Sequence, residues 1–274
     1  MSLLVASLIV LGSLGLIFGV GLAIASKKFY VKVDPKIKKI EEILPGANCG
    51  ACGYPGCSGY AEAIVEKNAD ITLCAPGGHE VSNGIAKIMG IEATAKERRI
   101  AVIHCQSGGK NNTNLKYKNI GIQTCQAAMV LSKGHNLCEY GCLGLNDCVR
   151  ACPFDAISLD DNNIRIIDKN KCTGCGNCVT ACPKNIIELV PISKKVHILC
   201  SSLDKGKIAK QNCGSNTACI GCRLCEKKCP VNAITVQDNL AKIDYDKCTV
   251  CGLCAKVCPT GAIIDEIAGH HPVA

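Results

Sequence analysis

The chain of 274 residues contains no tryptophan, three phenylalanines and six tyrosines. So few large rings exclude an ordinary aromatic-rich core for a length that otherwise suggests about two domains. Also missing is a basic stripe interleaved with aromatics, which removes the stacking platform of a single-strand binder, so no nucleic-acid partner is expected. No glycine-rich phosphate loop stands between a strand and a helix, which places any nicotinamide or flavin site on another chain. No long polar tract interrupts a composition that is 48% hydrophobic, and low-complexity disorder is excluded.

What the chain has in excess is cysteine, 24 residues in all. That density otherwise marks a small secreted disulfide scaffold, but this chain is far longer than one. The cysteines are the residues numerous enough to organise the interior.

Leu3 to Ala25 is a run of 23 residues without a charge. A hydrocarbon core of about 30 Å needs about 20 apolar residues, so the run predicts one transmembrane helix. Ala23, Ile24 and Ala25 look like a cleavage site, but a signal peptide would carry a basic start and a shorter apolar stretch. Lys27, Lys28 and Lys32 follow the run, and the positive-inside rule then puts the remainder on the cytoplasmic side of the cell (inner) membrane as a single-pass protein. Thiols stay reduced there, which favours metal ligation over disulfides. Gly15 and Gly19 form a small-residue face for another membrane helix, whereas the lack of an ionisable residue makes the span a poor ion path.

Three downstream runs have the bacterial ferredoxin spacing. They are Cys172, Cys175, Cys178, Cys182 before Pro183; Cys219, Cys222, Cys225, Cys229 before Pro230; and Cys248, Cys251, Cys254, Cys258 before Pro259. In this spacing a tight loop wraps three thiolates around one four-iron core, and the fourth cysteine serves the neighbouring cluster. Zinc would predict separated cysteine pairs, often with histidine.

A fourth run, Cys138, Cys142, Cys148, Cys152 before Pro153, departs from the rule. Leu145 stands where the middle ligand belongs, and Cys138 is the expected replacement; without it the site would hold a three-iron cluster. Crosswise ligation then predicts four groups. They are Cys138, Cys142, Cys148 with Cys182; Cys172, Cys175, Cys178 with Cys152; Cys219, Cys222, Cys225 with Cys258; and Cys248, Cys251, Cys254 with Cys229. Similar tails after each fourth cysteine, and alternating segments at Ile164 to Asp168 and Leu240 to Asp244, read as short strands over the clusters.

Near the N-terminus Cys49, Cys52 and Cys57 lie among glycines, and Cys74 follows a predicted helix from Ser58 to Lys67. Glycines let backbone N–H groups approach inorganic sulfide, so this group predicts a fifth four-iron cluster, with a mononuclear site as the rival. A helix is also expected around Pro35 to Leu44, and Glu80 to Glu97 reads as a connector with Val81, Ile85 and Ile88 on one face. Cys105, Cys125, Cys200 and Cys213 remain. They could form a sixth cluster, two buried pairs or two disulfides, and His104 and His197 beside the first and third are expected to be structural.

The formal charge of +8 counts every thiol as neutral. Twenty thiolates on five four-iron cores would contribute about −2 per site and bring the loaded chain near −2. The basic excess is therefore partly internal compensation.

The expected fold class is α+β, in four parts. They are a transmembrane helix over 1–26, a juxtamembrane segment with a small helical Fe-S module over 27–98, and two tandem dicluster ferredoxin-like domains over 99–190 and 191–274. A row of clusters conducts electrons, and no side chain is needed as acid, base or nucleophile.

The order of one membrane helix, the Asn48 to Cys57 module with Cys74, and cysteine-rich ferredoxin domains resembles the B subunit of the Rnf complex, the ion-translocating ferredoxin:NAD oxidoreductase. The resemblance covers essentially the whole chain, and two dicluster domains suggest the longer form of the subunit. It implies electron entry from reduced ferredoxin and onward passage through flavin-bearing and integral-membrane partner subunits to NAD, coupled to sodium or proton transport. It further implies that the C-terminal clusters meet ferredoxin, with Lys207, Lys210, Lys227 and Lys228 available to steer an acidic donor. Two rivals are a B-type component of a complex reducing an iron-sulfur regulator, and a ferredoxin-like subunit of another membrane reductase or hydrogenase.

Overall fold

The computed structural model describes residues 3–29, 34–92 and 97–269. Lys32, part of the predicted basic flank, and 270–274, assigned above to the second dicluster domain, lie outside the described residues.

Helix α1 (Leu3–Lys28) ends on Lys27 and Lys28, and 21 of its residues, Leu8–Lys28, are long and apolar enough to cross a membrane. From Leu8 onward its large side chains are exposed, Leu8 by 71% and Leu22 by 71%. An exposed apolar surface of this kind is suited to lipid rather than to water.

Helices α2 (Pro35–Ile43), α3 (Gly56–Lys67) and α4 (Gly78–Met89) form the next unit. Asp34 caps α2 by accepting from the Lys36 N–H at 2.8 Å, and Pro35 pre-sets the first turn. The unit's core is aliphatic: Ile37 and Ile40 of α2, Ile64 of α3 and Ile85 of α4 close around Tyr60. The stretch expected to be a connector is therefore part of this module, because Ile85 and Ala86 bury their face against α2.

The remainder is two similar units. The first contains β1 (Arg99–Ile103), α5 (Cys125–Val130), α6 (Asp147–Arg150), β2 (Ile157–Leu159), β3 (Arg165–Ile167), α7 (Asn177–Ala181) and β4 (Ile187–Pro191). The second contains β5 (Val196–Ile198), α8 (Gly206–Asn212), α9 (Leu224–Lys228), β6 (Ile234–Gln237), β7 (Leu240–Ile243), α10 (Leu253–Lys256) and β8 (Ile263–Asp265). In each unit the first strand pairs antiparallel with the last, Ile100 opposite Val190 and His197 opposite Ile264. The middle strands form a hairpin, Ser158 opposite Ile166 and Val236 opposite Ala241. The expected strands at Ile164 to Asp168 and Leu240 to Asp244 are present as β3 and β7.

Isoleucine, alanine and cysteine share these cores. Cys219, Cys225 and Cys254 are buried with Ile198, Ile234 and Ile263 in one unit, and Cys172 and Cys178 with Ile100, Ile157 and Ile187 in the other. The thiols occupy interior positions that aromatic residues fill elsewhere, and their burial replaces that of the missing rings. The fold class is thus α+β, with a helical Fe-S module and tandem dicluster units behind one apolar helix.

Candidate iron-sulfur centres

Each ferredoxin-type loop is bent by two residues of left-handed backbone flanking the second ligand position. They are Gly174 (φ 73°) and Gly176 (φ 84°) about Cys175, Gly221 (φ 64°) and Arg223 (φ 58°) about Cys222, and Val250 (φ 59°) and Gly252 (φ 71°) about Cys251. Alternating left- and right-handed residues turn successive N–H groups inward and form a concave anion-binding nest. The irregular run keeps the same bend, with Gly144 (φ 78°) and Asn146 (φ 66°) about Leu145. Its backbone is that of a ferredoxin loop from which one thiol has been removed.

Four cavities lined by four cysteines apiece correspond to three of these loops and to the N-terminal module. Cys49, Cys52, Cys57 and Cys74 line one, Cys219, Cys222, Cys225 and Cys258 a second, and Cys229, Cys248, Cys251 and Cys254 a third. These are the groupings expected from the spacing. The predicted set of Cys152, Cys172, Cys175 and Cys178 is also drawn together: burial pushes Cys178 up to about 12, and the charges of Cys172, Cys175 and Cys152 push it the same way.

The fourth cavity differs from the expectation. Cys142, Cys148 and Cys182 line it with Cys125, and Cys138 is not among its walls. The reason lies in α5. Thr124 caps that helix by accepting from the Ala127 N–H at 3.2 Å, and the Gln126 N–H donates to Asp147 Oδ2 at 3.1 Å, fastening α5 to α6. Cys125 is thereby carried to the Leu145 position, where the Leu145 and Asp147 N–H groups approach its sulfur. Cys125, rather than the expected Cys138, is thus the fourth cysteine lining this cavity.

Cys138 lies instead in a cavity with Cys105, Cys200 and Cys213. The group of Cys105, Cys125, Cys200 and Cys213 considered from the sequence is therefore not brought together as such, because Cys125 is held at α6.

Burial disfavours the thiolate at five of the cysteines. It pushes Cys148 and Cys254 up to about 12, Cys225 and Cys200 up to about 11, and Cys105 well above its ordinary value. A metal core supplies the positive charge that turns such thiols into thiolates. N–H groups already aim at several sulfurs: Ala101 to Cys172 at 3.4 Å, Ala156 to Cys152 at 3.4 Å and Ala233 to Cys229 at 3.3 Å. Among the described residues no group of three or more His, Cys, Asp or Glu side chains is placed to hold a single ion. Four thiols around one cavity are the donor set of a four-iron cluster.

Two further residues shape the sites and were not visible in the spacing. Arg165, at the start of β3, is buried and donates to Gly108 O at 2.7 Å, Gly144 O at 3.0 Å, Asn146 Oδ1 at 3.0 Å and Cys142 Sγ at 3.5 Å. An arginine opening a short apolar strand was the signal available. In the N-terminal module Asn48 Oδ1 accepts from the Cys57 N–H at 2.8 Å and fixes the loop. The two histidines are structural: His104 bridges Ile198 O (2.7 Å) and Glu188 (3.1 Å), and His197 meets the Tyr245 hydroxyl at 2.9 Å.

Comparison with known proteins agrees with this geometry. Residues 44–76 match the family described as a putative Fe-S cluster, residues 137–186 and 218–262 match a 4Fe-4S dicluster domain, and residues 164–230 match a second dicluster family. The B subunit of the ion-translocating oxidoreductase complex of Methanosarcina acetivorans is 45% identical over 90% of this chain and 93% of its own length. The B subunit of the Na(+)-translocating ferredoxin:NAD(+) oxidoreductase complex of Acetobacterium woodii is 44% identical over 87% of this chain and 71% of its own. The proton-translocating counterpart from Clostridium ljungdahlii is 41% identical over 90% and 87%. With cluster-binding geometry and whole-length similarity in agreement, the chain belongs to the family of B subunits of the ion-translocating ferredoxin:NAD oxidoreductase, or Rnf, complexes.

Proposed function

We propose that the chain accepts electrons from reduced ferredoxin at its C-terminal unit and delivers them through the N-terminal module to the flavin-bearing and integral-membrane subunits of the complex. The observation that carries this reading is the closeness of the cysteine sets within each dicluster unit and between the first unit and the N-terminal module. Cys49 lies close enough to Cys175 to add to the upward shift that burial gives it, and Asn177 donates to Cys49 O at 3.5 Å. The two sets of the first unit share one core, and so do the two sets of the second. Four-iron clusters, when bound, supply one-electron carriers at these positions.

The ligand sets are Cys49, Cys52, Cys57, Cys74; Cys152, Cys172, Cys175, Cys178; Cys125, Cys142, Cys148, Cys182; Cys219, Cys222, Cys225, Cys258; and Cys229, Cys248, Cys251, Cys254. Leu145 then leaves no open corner, which supports a four-iron rather than a three-iron site. Cys222 and Cys251 are the two exposed cysteines, so the second unit offers the shortest approach from solvent. Lys207, Lys210, Lys227 and Lys228 are exposed on the same unit and would steer an acidic donor. At the other end α1 anchors the chain, and Lys27 and Lys28 favour the cytoplasmic side for everything after it.

The test is anaerobic mixing of dithionite-reduced ferredoxin with the full chain in detergent micelles. Oxidation of the ferredoxin, slowed by added salt, is the expected result. No oxidation at any ratio would remove ferredoxin as the donor.

A further inference from the structure

Cys105 and Cys138 from the first unit and Cys200 and Cys213 from the second line one cavity at the junction of the two units. Its empty space is about 440 Å³, against roughly 390, 350, 330 and 320 Å³ for the four cysteine-lined cavities assigned above.

The two halves of this cavity repeat each other. Cys105 follows β1 and accepts from the Ser107 N–H at 3.4 Å; Cys200 follows β5 and accepts from the Ser202 N–H at 3.5 Å. Cys105 also accepts from the N–H of Cys142, the first ligand of its own unit's loop, at 3.3 Å. Cys200 lies near Cys219, the first ligand of the second unit's loop, whose backbone opposes the upward shift that burial gives the Cys200 thiol. Cys138 and Cys213 complete the halves, each a few residues before the loop that follows and near enough for their charges to interact. Accidental free thiols would have no reason to adopt the same backbone hydrogen bonds twice around a common void. The junction itself is fixed independently: Ser201 Oγ donates to His104 O at 2.8 Å, Gln106 Nε2 to Gly261 O at 3.0 Å and Asn114 Nδ2 to Gln211 O at 3.2 Å.

We infer that Cys105, Cys138, Cys200 and Cys213 bind a sixth iron-sulfur cluster of the four-iron type, shared between the two dicluster units. Its neighbours would be the Cys142 set on one side and the Cys219 set on the other. The site supplies the step that neither unit has alone, so that the chain from Cys251 to Cys49 has no gap at the domain junction. This goes beyond the proposed function and rests only on its reading of the chain as cluster-bearing, since the donor does not enter.

The test is iron and acid-labile sulfide per chain on the anaerobically purified full chain, with Mössbauer spectra. About 24 irons are expected for six four-iron sites. Cys200→Ala and Cys213→Ala should each lower the iron by up to about one sixth while the signals of the other sites persist. Should these variants fail to fold, alkylation of the denatured wild-type protein before and after chelation of its iron, followed by mass spectrometry, decides: these four cysteines labelled only after the iron and sulfide are removed support the site. About 20 irons with these thiols freely alkylated, or a disulfide among them in the unreduced chain, would overturn it. That result leaves ferredoxin oxidation intact, whereas a chain without iron removes both readings.

Discussion

The N–H of Cys142 points at the sulfur of Cys105, 3.3 Å away. One residue thus meets two cavities, its side chain lining that of the first unit's irregular loop and its amide donating to a sulfur that lines the junction cavity. A change of charge in either is felt at the other through a contact of one hydrogen bond.

Arg165 acts on the same loop. Its guanidinium is the buried positive charge beside Cys142. Positive charge stabilises the reduced, more negative form of a cluster. Arg165→Met should therefore lower the reduction potential of the Cys142 site by about 60–120 mV, the one-electron equivalent of losing a charged hydrogen bond. Arg165→Lys keeps the charge and should shift it less. A redox titration followed by EPR checks both.

Cys125→Ala should open one corner of the Cys142 site and yield a three-iron EPR signal in the oxidised protein. Cys138→Ala should leave that site four-iron. The opposite pattern would restore the assignment that spacing alone suggests.

This contrast shows how far the sequence can be read. The Cys175, Cys222 and Cys251 loops are legible because their ligands lie within a few residues, where spacing and geometry coincide. Cys125 is not, since it is brought beside Leu145 by tertiary contacts with no local period, such as the Gln126 to Asp147 and Arg150 to Gln123 hydrogen bonds. The nearer Cys138 looks like the substitute, although its position ahead of Cys142 parallels that of Cys213 ahead of Cys219. Helix α4 resembles a connector for a similar reason: its amphipathic face is visible in the sequence, but its partner α2 is not.

The N-terminal module depends on Tyr60. Its hydroxyl donates to Asp70 O at 2.7 Å and accepts from the Leu73 N–H at 3.2 Å, holding the segment that delivers Cys74. Tyr60→Phe removes both bonds at a cost of about 1–3 kcal/mol. Chelator-driven iron release from this module should be faster in the variant.

His197 makes the second unit acid-sensitive. Burial lowers its pKa to about 4, opposed by Glu266 and aided by Lys169, His104 and Lys195. A group that is harder to protonate when folded contributes fully above its unfolded pKa of about 6.5, and the contribution fades as pH falls towards 4. The loss at the acid end is about 3 kcal/mol. Denaturant midpoints at pH 7 and pH 5 should diverge less in His197→Asn than in the wild type, a difference that cancels any acid lability of the clusters themselves.

Removing residues 1–28 should move the protein from the membrane fraction to the soluble fraction without changing its iron content. Retention in the membrane would mean that contacts with partner subunits suffice to hold it.

The strand pairing carries a consequence for biosynthesis. Because β1 closes on β4 and β5 on β8, each dicluster unit finishes with the element that secures its beginning. Synthesis therefore runs ahead of assembly: the early cysteines of a unit leave the ribosome long before their strand partner exists. A chain interrupted just before β4 or β8 would present every cysteine of that unit and no closed unit, so the last few residues of each repeat, and not its metal-binding loops, complete its fold.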